Sequence, residues 1–224
     1  WMAHINGIFD EHLEEAVREL TSATAVPGLT SRAATALGRV YLSLEREAQA
    51  QEQLWRATQE ADPEPSAHLL LGDLALKADQ PDRAVQSYGA SLELLSRRLH
   101  RSEEEAAALY GLGEGYLRKG RQSLGAAQQA FERAATADPR DGSSRLRLAE
   151  IAELRGDEQA AIQQYRSALA VDANLVRCYW ALGRLLARRG ERTEAIRLLE
   201  EYLQRLPTGE NAREVRELLR RLRP

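Results

Sequence analysis

Four histidines, one cysteine, a glycine-rich run and a glutamate triplet are the residues of this 224-residue chain whose types are suited to chemistry. His4, His12, His68 and His100 would serve as metal ligands if two of them shared a helix face at close spacing. They are scattered instead, and no H-E-x-x-H occurs. Gly111-Leu112-Gly113-Glu114-Gly115 has the look of a phosphate-cradling loop. It lacks the third glycine of G-x-G-x-x-G and lies inside a helical pattern with no strand before it. The run is read as helix, softened by its glycines at up to about 1 kcal/mol each relative to alanine. Cys178 is the sole cysteine, which rules out an intrachain disulfide and argues against a thiol-based metal site. Its place near the packed face of a helix makes it a small core residue. Glu103 to Glu105 follow Ser102 as a capping box, where negative charge favours a helix start. No catalytic constellation, metal site or cofactor is expected, and this chain reads as a non-enzyme.

The elements that would carry these residues are helices. A hydrophobic fraction of 43% is ample for a buried core. Ala, Leu, Glu, Gln and Arg dominate, and no stretch alternates apolar and polar residues as a half-buried strand must. All-α is the expectation. No apolar run approaches the roughly 18 to 20 residues of a membrane helix, and no charged-then-apolar leader occurs. The Trp1-Met2 start reads as a cut or processed chain, so cytoplasm and periplasm both stay open. The net charge of −3 is unevenly spread: residues 1–64 carry 11 acidic and 5 basic side chains, whereas 175–224 carry 7 and 12. The basic end suits an acidic partner or a plain solvated surface. Lysine occurs only at 77 and 119, and the Ala, Arg and Leu usage fits a high-GC bacterial genome.

A repeat organises the chain. Gly156 and Gly190 are 34 residues apart, and Leu148 to Leu182, Ala161 to Ala195 and Ile162 to Ile196 keep that offset. Residues 1–30 read as an N-terminal capping helix or half repeat, helical over Phe9 to Leu20, and 31–64 form the first full unit. Unit two, 65–105, has an extended second helix, because Leu92, Leu95 and Leu99 carry the apolar face onward by about two turns. Units three to five occupy 106–141, with an enlarged turn after Gly120, 142–175 and 176–209. Residues 210–224 form a C-terminal capping helix over the open end. Within each unit the first helix has apolar or small residues at spacings 3, 1, 3 and the second at 4, 3, each tracing one helix face. Small residues at 38, 72, 113, 149 and 183, and alanine at 50, 84, 127, 161 and 195, mark close helix approaches. Filling one costs about 1–3 kcal/mol by overpacking.

Leu109-x-x-Leu112-Gly113-x-x-Tyr116, followed by Ala127-x-x-x-Phe131 and Pro139, resembles the tetratricopeptide repeat pattern. Tyr179, Leu182-Gly183, Ala195, Leu199 and Pro207 follow it too. Arg145, His68 and Ala34 depart from its first large residue, and Ala173 from its final proline. The resemblance covers about residues 31–207. It implies a right-handed α-α superhelix, a solenoid of helical hairpins whose first helices line a concave surface that meets ligand.

The stripe beside the packed face then reads Thr35, Arg39, Leu42; Leu69, Asp73, Leu76; Tyr110, Glu114, Leu117; Leu146, Glu150, Glu153; and Trp180, Arg184, Ala187, with Arg177 and Arg188 alongside. Bulky apolar groups alternating with single charges suit an extended or helical protein segment, with Trp180 and Tyr110 as anchors. The leucines have a second reading, as packing residues. The family's Lys, Asn and Arg clamp for a C-terminal carboxylate is unmatched, since Thr35, Leu69 and Tyr110 and then Arg39, Asp73 and Glu114 occupy those positions. The functional expectation is a non-catalytic adaptor holding a partner segment, in assembly of a bacterial envelope or motility machine. The alternative is RNA binding by helical hairpins, against which stand the acidic N-terminal half and the absence of a continuous basic stripe. Replacing Trp180 by Ala and Arg184 by Glu together is expected to abolish binding and leave the melting temperature nearly unchanged.

Overall fold

The computed structural model describes residues 2–98 and 102–223, with side chains described over 12–98 and 103–223. Among them the order is α1 (Met2–Ala23), α2 (Thr30–Ser43), α3 (Glu47–Thr58), α4 (Pro65–Lys77), α5 (Pro81–Ser96), α6 (Ser102–Arg118), α7 (Leu124–Ala137), α8 (Gly142–Arg155), α9 (Glu158–Val171), α10 (Val176–Arg188), α11 (Arg192–Arg205) and α12 (Ala212–Leu222), with no strand. The fold is all-α, built of helical hairpins. It divides into two compact units, Trp1–Ala127 and Gln128–Pro224. The N-terminal helix is longer than the apolar spacing indicated, beginning at Met2 and not at Phe9.

Breaks between helices follow local chemistry. Pro65 and Pro81 open α4 and α5, where a missing N–H costs nothing. Asp141 caps α8 by accepting from the backbone N–H of Ser143 at 2.8 Å and of Ser144 at 3.2 Å. Gly156 and Gly190 end their helices with φ of 78° and 80°, a conformation that only glycine adopts freely. After Gly120 the chain makes a short 3-10 turn, Arg121–Ser123, before α7. Helix α5 has 16 residues against 14 in α9. Leu95 is buried on it; Leu99 and His100 lie outside the described residues.

In the first unit α1 packs on α2, and the hairpins α2/α3 and α4/α5 follow, with α6 on α5. Leu37, Tyr41 and Ala50 form one cluster, with Val17 and Leu20 of α1 packed against it. Ala75, Ala84 and Tyr88 form another, beside Leu112. A Cβ added at Gly38 would meet Leu54 at 2.6 Å, and one at Gly72 would meet Tyr88 at 2.7 Å. These are close approaches of the kind the small residues mark. The glycines of α6 have a role that softness does not describe. Gly111 faces the ring of Tyr88 and Gly115 faces Val85, so both receive side chains of α5. A buried carboxylate also ties this unit together. Glu64 takes Arg32 at 2.9 Å and Arg98 at 3.0 Å, while its N–H donates to Ser31 Oγ.

The second unit has one continuous core across α8 to α12, including Ile162, Tyr165, Leu182, Leu186, Leu199 and Val215. Helix α12 contributes Val215 and Leu219 to it. Cys178 is fully buried there, and burial, then the charge of Glu150, pushes its thiol up to about 12.

A groove between two first helices

Helices α8 and α10 are first helices of successive hairpins, so the same face of each is presented side by side. Helix α8 supplies Glu150, Glu153 and Leu154; α10 supplies Arg177, Trp180, Ala181 and Arg184. Tyr165 and Tyr202 of the second helices reach in from behind, and Leu206, Glu210 and Asn211 close one end. Together they enclose an open groove of about 800 Å³. Leu154 and Leu206 stand on its rim with 55% and 42% of their surface exposed. These two side chains give the groove apolar edges.

Charge is arranged as a ladder across the groove. Arg177 Nε lies 3.2 Å from Glu150 Oε1, and Arg184 Nη2 donates to Glu153 Oε2 at 2.5 Å. Arg147 donates to the other oxygen of Glu150 at 2.8 Å. Just beyond, Arg188 reaches Glu158 of α9 at 2.7 Å. Glu153 also accepts from the Tyr165 hydroxyl at 2.7 Å. Burial, reinforced by that carboxylate, raises the Tyr165 pKa above its ordinary value, so the phenol stays a neutral donor. The Arg184 guanidinium sits over the Trp180 ring at 5.8 Å from its centroid. Tyr165, Glu153, Arg184 and Trp180 thus form one continuous network in which each member fixes the next. It offers hydrogen-bonding edges and an apolar floor. Among the described residues no three His, Cys, Asp or Glu side chains converge as metal ligands, and no helix is long and apolar enough to cross a membrane.

The other members of the stripe are placed as follows. Leu146 is half-buried against the core of the second unit. In the first unit Leu69 and Leu76 pack partly against the Tyr88 cluster, which is the packing reading of those leucines. Asp73 accepts from the Tyr88 hydroxyl at 2.5 Å, and desolvation outweighs that bond to raise its pKa. Arg39 is exposed, and Leu42, Tyr110, Glu114 and Leu117 are half-buried, as is Ala187. Thr35 is buried, with its hydroxyl donating to Ser31 O at 2.7 Å. Trp180 is only 9% exposed and belongs to the core. The expectation that its removal leaves the melting temperature unchanged is therefore wrong, since a buried indole is structural as well as accessible at its edge. Sequence reasoning missed Leu154 and Leu206. Leu154 gave a signal, as a large apolar residue off the packing spacing of α8; Leu206 gave none, since it continues the spacing of Ala195, Leu199 and Tyr202 and is exposed just past the end of α11.

A sequence model of the tetratricopeptide repeat matches residues 35–94, 69–126 and 115–176. Among curated proteins, Superkiller protein 3 of Schizosaccharomyces pombe (strain 972 / ATCC 24843) is 29% identical over 144 residues, covering 61% of this chain. The chain spans about 10% of that relative's length. Solved structures with the same fold include pilF of Pseudomonas aeruginosa, with a TM-score of 0.77 at 16% identity, covering 96% of this chain and 94% of that one. PilW, a type IV pilus biogenesis factor, aligns at 0.71 and 14% identity over 96% and 95% of the two chains. YrrB, which has an unusual peptide-binding site, aligns at 0.67 and 14% identity over 88% and 97%.

Proposed function

The chain belongs to the tetratricopeptide repeat family, and on that premise we propose that it is a non-catalytic scaffold holding a segment of a partner protein between α8 and α10. One observation carries the reading. The groove there combines two exposed leucines with an aromatic floor and a ladder of arginine–glutamate pairs. Apolar side chains of the segment would cover Leu154 and Leu206, and its polar groups would compete for the edges of the ladder. Arg177 is the exposed member of the ladder, and an ion pair open to water is worth little by itself, roughly 0–1 kcal/mol, so its pairing with Glu150 is exchanged at small cost when a partner arrives. The partner's setting is assembly of a bacterial envelope or motility machine, a reading supported by likeness over nearly the whole chain to the pilus biogenesis factor PilW.

The test is a double variant, Leu154→Asp with Arg177→Glu, at two exposed positions. Parent and variant are used as baits in the native cell, and captured proteins are compared by mass spectrometry. A partner held by the parent and lost by the variant, at unchanged melting temperature, is the expected result. Equal recovery by both baits would sink the assignment.

A further inference from the structure

The first unit carries a separate groove on the side of α4 away from its Leu69, Asp73 and Leu76 stripe. It is bounded by α3 and α5 and floored by the face of α4 that holds Leu71, Ala75 and Ala78. At 100° per residue that face lies half a turn from Leu69, Asp73 and Leu76. The groove has a volume of about 660 Å³. On its α3 wall stands Trp55, 60% exposed, the most exposed of the large apolar side chains among the described residues. Five residues after the small alanine of each second helix, the chain has Trp55, Gly89, Glu132, Arg166 and Glu200. Four hairpins place a charge or no side chain there, as a solvent-facing position favours. One places an indole.

The opening of the groove has its cause in the same comparison. Two residues either side of the Leu-Gly glycine, α6 has Gly111 and Gly115, and Tyr88 and Val85 of α5 settle onto them. Helix α4 has Leu70 and Leu74 in those places, packed beside Leu54. Gln51 takes the place of Val85 on the groove wall. Leucine fills the space that glycine leaves, so the α3 side of α4 stays open where the α5 side of α6 closes.

Three polar groups of this groove are uncommitted. Gln51, Gln86 and Ser87 line it and make no side-chain hydrogen bond among the described residues. Carboxamides and hydroxyls carry both donors and acceptors, which matches a peptide backbone. Arg83 is the only ionised group of the lining; Gln80 Oε1 accepts from its Nη1 at 2.9 Å, and no carboxylate among the described residues pairs with it. Burial lowers the pKa of His68 on the floor below its ordinary value, and the lining holds no acid. We propose that this groove is a second docking site, which takes a short segment of a partner protein pairing a large apolar side chain stacked on Trp55 with a carboxylate that meets Arg83.

The experiment selects random dodecapeptides displayed on phage against the full-length protein, with counter-selection on Trp55→Ala. Enriched sequences are expected to pair an apolar residue with Asp or Glu. Made as synthetic peptides, they should lose about tenfold or more in affinity with Trp55→Ala and with Arg83→Glu. Both side chains are exposed, so the melting temperature of each variant should match the parent. Arg83→Glu should restore binding to a peptide whose acid is replaced by lysine, and the Leu154→Asp, Arg177→Glu variant should bind the original peptide as the parent does. The proposal is overturned if no peptide survives the counter-selection, if survivors prefer Lys or Arg, or if sedimentation shows that Trp55 joins two copies of this chain.

Discussion

Gly111→Ala separates two accounts of the glycines in α6. If they merely soften the helix, alanine should stabilise it by about 1 kcal/mol through helix propensity. The packing around Tyr88 gives the opposite sign. An added Cβ falls inside contact distance of Tyr88 Cζ and Cε1 and 2.8 Å from Cε2. The ring has nowhere to retreat, because a Cβ at Gly72 would already meet its other flank at 2.7 Å and its hydroxyl is held by Asp73. Overpacking of this kind costs about 1–3 kcal/mol. Net of the propensity gain, a loss of up to about 2 kcal/mol is expected. At this chain length each kcal/mol moves Tm by about 2–4 °C, so a fall of up to about 8 °C should appear in a far-UV circular dichroism melt. Gly89→Ala is the control: no atom lies within 4 Å of its added Cβ, and Tm should rise. Adding Tyr88→Leu, the residue present at 54 and 199, should make the second change in the Gly111→Ala background cheaper than in the parent, by coupling of neighbours. A Gly111→Ala protein that melts at or above the parent temperature would refute the packing account.

Trp180→Ala removes a core indole and should cost about 3–5 kcal/mol in denaturant titration, unlike Trp55→Ala, which should leave stability within about 0.5 kcal/mol. Asp141→Ala should cost about 1 kcal/mol as a lost helix cap. Burial opposes ionisation of Asp141, but hydrogen bonds from Ser143 and Ser144 prevail and lower its pKa from 3.8. Its folded value is depressed, so the stabilisation is complete above the unfolded value and lost as pH falls through the folded one. The Tm gap between parent and Asp141→Ala should therefore hold from about pH 7 to pH 5 and narrow below about pH 4. The Cys178 thiol should resist a thiol-specific reagent at about pH 8 in the native protein and react fully in denaturant. A gel shift with RNA at two salt concentrations should show no binding that survives the higher one.

Much of the fold is legible in the chain itself, because a 34-residue offset kept by Leu148 and Leu182, Ala161 and Ala195, and Gly156 and Gly190 admits little besides repeated helical hairpins. The alternation of apolar groups and charges along α8 and α10 was legible too, since helical period assigns each residue to a face. Which of those residues stay in water was not. Trp180 looked like an exposed anchor and is core; Leu154 and Trp55 lie off the packing stripe, Leu206 continues it just past the end of α11, and all three are exposed.

Period by itself thus determined the hairpins, their small-residue contacts and the face each side chain takes. Tertiary structure decided how closely neighbouring helices approach, and hence where grooves open. That distance depends on volumes contributed by residues far apart in the chain: Gly111 and Gly115 admit Tyr88 and Val85, whereas Leu70 and Leu74 hold the equivalent space beside Leu54. Side-chain volume acts at a helix–helix contact only once the two helices are brought together.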